Sequence, residues 1–309
     1  NHISQYLWTS LARGASGIMF WTLNPRGAVQ EAGEWGLIDF LRQDTDRMVA
    51  ARKVALALEQ YGKELKSMKP VSAPISILYS HESFYVERFN AMSNQSSFDA
   101  RKIDAVEKSL SVAYQAISAN GVCPEVCEMK AFNWDNGENR IAILPDCIAV
   151  PSEYWDKISG FVKSGGKLIV TGRSFYYDEN MFCTFMYRPF PLKDCFGAEM
   201  KEYKVTADYF SLDGKLTGHL WRGIIEPKGA TTVLESNGEV LGTRNSFGKG
   251  QVVWLPTPIE LGAYHRDMSG LEEFYSKECK SALSLSQSDI KQFITEYRWQ
   301  WLPGMNLFY

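Results

Sequence analysis

The chain has 309 residues, and at about 150 residues per domain that length leads to an expectation of two domains. Apolar residues make up 45%, charged residues 22% and aromatics 13%, which excludes a disordered or collagen-like chain, and no run reaches the roughly 18 apolar residues of a membrane span. Lys and Arg number 33 against 36 Asp and Glu, a net charge of −3, so no basic field points to a nucleic acid or a membrane surface as partner.

Residues 1–68 read as helix, strand, loop and helix. Ile3, Leu7, Trp8 and Leu11 recur at helical spacing, and Gly14 supplies a stop. Gly17-Ile18-Met19-Phe20-Trp21 is a short apolar run of strand type, expected to be buried on both faces, with Met19 and Phe20 in the packing. A polar loop runs from Thr22 to about Asp46. Met48, Ala51, Val54, Ala55, Leu58, Tyr61 and Leu65 then form an amphipathic helix, capped by Asp44 or Thr45. One strand cannot bury both its faces against two helices, because parallel strands need neighbours and covering helices. Asn1 is not an initiator Met, and no signal-peptide pattern follows it. The expectation is therefore that residues 1–68 are the edge of a larger sheet or barrel.

Met68 to Pro74 reads as a linker, with two prolines among small and polar residues. Ile75-Ser76-Ile77-Leu78-Tyr79 opens a new strand. After a polar loop, Ile103, Val106, Leu110, Ala113, Tyr114 and Ile117 make a helix face that ends at Asn120-Gly121. Val122 to Val126 is a second strand. Ile141 to Leu144 and Cys147 to Val150 form a third strand region around Pro145. Ser152 caps a helix carrying Tyr154, Trp155, Ile158, Phe161 and Val162, closed by Gly165-Gly166, and Lys167 to Thr171 is a fourth strand. Strands and helices alternating at this spacing predict a parallel α/β sheet. From Met200 onward shorter strands follow, with a hairpin turn at Asn237-Gly238 and another at Gly248-Lys249-Gly250, as hairpins added to the same sheet. Residues 271–309 form an uncertain helical tail: Glu272 to Leu285 is helical in character, Ser288 caps a short helix through Tyr297, and the aromatic end has no readable register.

The six cysteines are too few for a disulfide scaffold in a chain this long. Cys123 and Cys127 are spaced C-x3-C, but no second pair stands at metal-site spacing, so no metal site is expected. Free thiols, mostly buried, fit a reducing compartment, with the cytoplasm weakly favoured.

Leu11 through Trp21 resembles the last barrel strand of family 42 glycoside hydrolases, which are β-galactosidases. The similarity continues through Gly27-Ala28-Val29-Gln30-Glu31-Ala32-Gly33-Glu34-Trp35-Gly36-Leu37. The second domain resembles that family's trimerisation domain in Ile77-Leu78-Tyr79-Ser80-His81-Glu82-Ser83, Val150-Pro151-Ser152, Gly165-Gly166, Thr171-Gly172-Arg173-Ser174 and Phe247-Gly248-Lys249-Gly250. The resemblance covers residues 1 to about 265. It implies an α/β fold: a flavodoxin-like or class I glutamine-amidotransferase-like three-layer domain over 69–270, preceded by the last helix–strand–helix unit of a TIM (β/α)8 barrel over 1–68. It also implies part of a retaining glycoside hydrolase acting on β-galactosides, with a galactoside-type carbohydrate as ligand and a homotrimer formed through residues 69–270. Two features depart from the family. Glu34 stands where many members carry a sugar-contacting His, which puts galactose specificity in question. The β-sandwich expected after the second domain is not recognisable.

Retaining glycosidases need two carboxyl groups about 5–5.5 Å apart, supplied in barrels by the ends of different strands. The resemblance places both upstream of Asn1, so no catalytic pair is expected in this chain. Glu31 and Glu34 lie three apart in one loop, which cannot readily flank a glycosidic bond from both sides. The resemblance makes Glu31 and Glu34 candidates for hydrogen bonds to sugar hydroxyls. Trp21, at the strand's end, is a candidate for stacking on a sugar ring. A working amidotransferase needs a Cys on a sharp turn after a strand and a downstream His. Gly172-Arg173-Ser174 offers no Cys there, Cys183 lies nine residues beyond Ser174, and His219 and His265 read as surface or structural. The acidic, bulky stretch His81-Glu82-Ser83-Phe84-Tyr85 is unsuited to cradling the phosphate of a flavin, and Gly248-Lys249-Gly250 is a hairpin turn rather than a phosphate loop, so no cofactor is expected. The competing reading is a non-enzymatic interaction or small-ligand module with an amidotransferase-like fold.

Overall fold

The computed structural model describes residues 2–12, 15–28, 32–67, 74–91, 102–264 and 266–282. They divide into two compact units, one over 2–67 and one over 74–282.

In the first unit the two expected helices are present as α1 (His2–Ala12) and α2 (Asp46–Ser67). Leu7, Ala51 and Val54 are buried between them, with Ile3, Trp8, Leu11, Ile18 and Leu58 packed around. Thr45 is the capping residue: its hydroxyl oxygen accepts from the Met48 amide at 3.4 Å and donates to the Leu37 carbonyl at 2.7 Å. Asp44 instead pairs with Arg52 at 2.6 Å. The strand expected at Gly17–Trp21, buried on both faces, does not form. The segment carries no ladder; Met19 is 96% and Trp21 68% exposed. A strand exists through its neighbours' hydrogen bonds, and none of the described residues offers this segment a ladder. Amide exchange is accordingly expected to be fast at residues 15–28 and 32–44 and slow in the central strands of the second unit. Protection of 15–28 comparable to those strands would contradict this.

The second unit contains β1 (Ile75–Tyr79), α3 (His81–Asn90), α4 (Ala105–Ser118), β2 (Glu125–Glu128), β3 (Ile141–Pro145), α5 (Trp155–Lys163), β4 (Lys167–Thr171), α6 (Lys193–Phe196), β5 (Ala198–Ser211), β6 (Thr217–Pro227), β7 (Thr231–Ser236), β8 (Glu239–Phe247), β9 (Gly250–Leu255), α7 (Ile259–Tyr264) and α8 (Ser269–Glu278). A seven-stranded sheet runs β2-β1-β3-β4-β9-β8-β7. Its first five strands are mutually parallel, in registers such as Ile143 opposite Ile169 and Ile169 opposite Val253. β8 and β7 add antiparallel.

The period-2 alternation of the strands separates two cores. Ile75, Ile77, Ile143, Ile169 and Val253 meet α4, α7 and α8 on one face. Leu78, Leu144, Leu168, Val170, Val252 and Trp254 meet Ile158, Phe161 and Val162 of α5 on the other. The turn between β7 and β8 holds both Asn237 (φ 54°) and Gly238 (φ 75°) in the left-handed region, the two-residue hairpin geometry that Asn-Gly favours. Glu278 of α8, nearly buried, receives Lys167 Nζ at 2.8 Å and Arg244 Nη2 at 2.6 Å, tying the helix to β4 and β8.

Several expectations are corrected. The stretch after Tyr79, read as a loop, is α3, with Ser80 as its N-cap: the Ser80 side chain accepts from the Ser83 amide. The second strand is Glu125–Glu128, three residues later than Val122. Cys147 to Val150 forms only one isolated bridge, Ala149 to Tyr177. Ile103 precedes α4 and is 52% exposed. Ser152 opens a single 3-10 turn before α5 and directs its amide and hydroxyl to Glu179, each at 2.7 Å. Of the strands after Met200, β5 has 14 residues and pairs with β6 in a separate two-stranded sheet. The tail helix begins at Ser269 rather than Glu272. The helix capped by Ser288 and the aromatic end lie outside the described residues. Among the described residues no helix is long and apolar enough to cross a membrane.

Candidate functional site

The sugar-contact candidates lie between α1 and α2. Trp21 is exposed, with the Arg26 guanidinium 5.1 Å from its ring centroid. Glu34 is exposed, as is Trp35. Glu31 lies outside the described residues.

The carboxyl ends of β3 and β4 carry a buried polar knot, at the turn after β4 where a nucleophile was sought in the sequence. Gly172 (φ 66°) turns the chain sharply, and a Cβ there would fall 2.6 Å from Asp146 Oδ1. Ser174 is fully buried. Its hydroxyl lies 2.8 Å from the Thr171 carbonyl and 2.9 Å from that of Leu144, and accepts from the Cys147 amide at 2.7 Å. It is a tie between two turns, with no free face for chemistry. Asp146, fully buried at φ 49°, accepts from the Arg173 amide at 2.7 Å and from Arg173 Nη2 at 3.1 Å. Cys147 is buried against Ser80 and Ser83, and burial pushes its thiol up, away from the thiolate a nucleophile needs. His219 is buried and stacked on Tyr209, centroids 4.6 Å apart, which suits a structural role. His265 lies outside the described residues. All six cysteines are unbridged; Cys147, Cys195 and Cys279 are buried and the others half-buried. Among the described residues no group of three or more His, Cys, Asp or Glu is arranged to hold a metal.

A crevice of about 290 Å³ opens beside this knot. α3 contributes His81, Glu82 and Tyr85 to it; the end of β2 contributes Glu128, Met129 and Lys130; the turn before α5 contributes Glu153 and Tyr154. Glu128 links two of these segments, with one oxygen 2.9 Å from His81 Nδ1 and the other 2.9 Å from Lys130 Nζ. The Lys130 ammonium holds the Glu128 carboxyl below its usual range, and the Lys130 ammonium is held up in return. Burial raises the Tyr154 phenol. Sequence reasoning used His81-Glu82 only to exclude a phosphate loop. It missed the crevice because the three contributing segments are far apart in the chain.

The model of the β-galactosidase trimerisation domain, of glycoside hydrolase family 42, matches residues 73–282. The chain belongs to this family. Among curated relatives, the trimerisation-domain chain is 27% identical over 270 residues to Beta-galactosidase BgaB of Geobacillus sp. (strain Y412MC61), covering 81% of this chain and 38% of that protein. It is 22% identical over 302 residues to Beta-galactosidase BgaA of Clostridium cellulovorans, covering 92% of this chain and 43% of that one. The chain thus spans well under half the length of these relatives. Among solved structures, a catalytic mutant of Gan42B, a family 42 β-galactosidase from G. stearothermophilus, superposes with a TM-score of 0.70 at 20% identity, over 89% of this chain and 40% of that one. The β-galactosidase of Bacillus circulans sp. alkalophilus gives 0.68 at 17% identity, over 90% and 41%. The α/β fold is that of these enzymes.

Proposed function

We propose that this chain is part of a retaining β-galactosidase, supplying the end of its sugar-binding barrel and an oligomerisation domain, and that by itself it is inactive. One observation carries the reading: the trimerisation-domain match over 73–282 in a chain that spans 38% of a β-galactosidase relative. Residues 1–68 are then the last unit of a TIM barrel. The exposure of Met19, Phe20 and Trp21 supports this, because a last barrel strand presents such side chains to its neighbours. Trp21, Glu31 and Glu34 would face the sugar. Residues 69–270 form the flavodoxin-like or amidotransferase-like trimerisation domain; the strand order β2-β1-β3-β4-β9 supports that description. Residues 271–309 are its tail. The partners are a galactoside and two further copies of the chain. The competing interaction-module reading is not favoured by the family match.

The test is hydrolysis of a nitrophenyl β-galactoside by the 309-residue chain. No turnover above background is expected, since the paired carboxylates are assigned elsewhere. Robust hydrolysis would overturn the assignment. Sedimentation equilibrium should return three times the chain mass, and a monomer at micromolar concentration would remove the oligomerisation role.

A further inference from the structure

We propose that the crevice at the carboxyl ends of β1 and β2 binds a small neutral polyol, of monosaccharide size and bearing vicinal hydroxyls. Its position is the first argument. β1 and β3 are adjacent parallel strands, yet the chain leaves β1 into α3 on one face of the sheet and leaves β3 toward α5 on the other. The space directly between the two ends is filled by Ser80 and Ser83, whose hydroxyls bond the Ala149 carbonyl. The crevice lies beside it, where the end of β2 and the turn before α5 meet the start of α3, and ligands of open parallel sheets bind outside the carboxyl ends of the strands. The volume of about 290 Å³ lies at the small end of ligand pockets, which suits one ring rather than a dinucleotide.

The chemistry of the lining selects the ligand. Both oxygens of Glu128 are engaged, one by His81 and one by Lys130, so this carboxylate positions two donors and has little charge left to offer. The His81 ring and the Lys130 ammonium remain half or more exposed and can donate. Glu82 of α3 and Glu153 before α5 add carboxylate acceptors to the lining, Glu153 also reaching Lys157 Nζ at 3.5 Å. An anion drawn to the start of α3 meets these two carboxylates; a cation meets Lys130. A hydroxyl group donates and accepts at once, and a pair of vicinal hydroxyls uses both kinds of wall without placing net charge in the cleft. Tyr85 is 70% exposed at the rim and offers an apolar ring face to the C–H side of such a molecule. This site is built entirely from residues 80–154 and does not depend on the barrel reading.

The full 309-residue chain is titrated with D-galactose and with myo-inositol, followed by saturation-transfer NMR and calorimetry, with phosphate and putrescine as charged comparators. Polyol binding in the millimolar range is expected. Loss of one charge-assisted hydrogen bond in Glu82→Gln or Glu153→Gln should weaken it roughly threefold to tenfold. Both residues are on the crevice surface, and circular dichroism confirms that the variants are folded. Val205→Ala, an exposed change on β5 outside the crevice, should leave the binding unchanged. Absence of transfer at tens of millimolar polyol overturns the proposal. So does retention of the signal in both Glu82→Gln and Glu153→Gln, an equal loss in Val205→Ala, or preferential binding of phosphate or putrescine.

Discussion

Replacing Asp146 by alanine is expected to lower the melting temperature of the sheet domain by roughly 6–20 °C, the largest single effect foreseen in this chain. Asp146 has no exposed surface, and Arg173, its partner, is 15% exposed. Removing the carboxylate leaves a largely buried guanidinium without its countercharge, which costs about 3–5 kcal/mol. The guanidinium cannot simply turn to water: its carbon lies 5.4 Å from the Trp221 ring centroid, and its Nε is buried. The Arg173 amide also loses its acceptor, and with it the tie that closes the turn at Gly172. A backbone contribution adds to this, since Asp146 sits at φ 49°, where Asp and Asn are tolerated and alanine is not. The ranking is therefore wild type, then Asp146→Asn, then Asp146→Ala, because asparagine keeps the backbone preference and one acceptor oxygen. Pairing Asp146→Ala with Arg173→Met should recover part of the loss, as removal of both charges leaves nothing stranded. A double variant no more stable than the single one would show that the ion pair is not the cause. Thermal unfolding followed by circular dichroism reads all four proteins.

Much of the sheet was legible because its strands are buried on both faces and therefore spell continuous apolar runs. Ile75 to Tyr79, Ile141 to Leu144, Lys167 to Thr171 and Gln251 to Leu255 all appear where the runs place them. The Asn237-Gly238 turn was legible for a different reason, its backbone conformation being open to few residues. α3 was not legible, and its burial pattern explains why. Its inward face includes Ser83 and Glu87, while Tyr85 and Phe89 point outward at 70% and 79% exposure. Hydrophobic periodicity assumes the opposite. The inversion is made possible by polar work inside: Ser83 bonds the Ala149 carbonyl and amide, and the Glu87 carboxylate caps α4 through the amides of Asp104 and Val106. β5 was missed because its Lys201, Glu202 and Lys204 belong to a two-stranded ribbon, where charge carries no penalty.

The family resemblance reached the domain organisation but not the crevice. His81, Glu128 and Glu153 are separated by 25 residues or more in the chain, and only the sheet order brings them together. Sequence placed the sharp turn after β4 and asked whether Ser174 was a nucleophile. The structure has left-handed residues at the ends of both β3 and β4, Asp146 and Gly172, locked to each other. Both left-handed residues serve the Asp146–Arg173 ion pair and its turn.

The second large expectation concerns pH. Glu260, in the first turn of α7, is fully buried. One carboxyl oxygen receives the Thr171 hydroxyl at 2.8 Å and the Tyr275 phenol at 2.6 Å; the other has no partner among the described residues. Burial pushes the Glu260 carboxyl from 4.5 up to about 7, against the lowering effect of those two hydrogen bonds. The unfolded chain therefore releases this proton near pH 4.5 while the folded domain keeps it to about pH 7. Over that window the unfolded state binds fewer protons, so stability falls as pH rises, by about 1.4 kcal/mol per pH unit and roughly 3 kcal/mol in all. Below pH 4.5 both states are protonated and Glu260 contributes no pH dependence; above about pH 7 both are ionised and the loss is complete. Glu260→Gln keeps an acceptor for Thr171 and Tyr275 and cannot ionise. The difference between the two proteins' urea-unfolding free energies isolates Glu260, because the other titrating groups are common to both. At pH 4.5 the wild type should be equal to the variant or more stable, since a buried amide adds donors that need partners. The balance should shift toward the variant by roughly 3 kcal/mol between pH 4.5 and 8. Parallel curves across that range would show that the carboxyl ionises normally in the folded domain, and that its burial between β4, α7 and α8 is compensated by groups other than Thr171 and Tyr275.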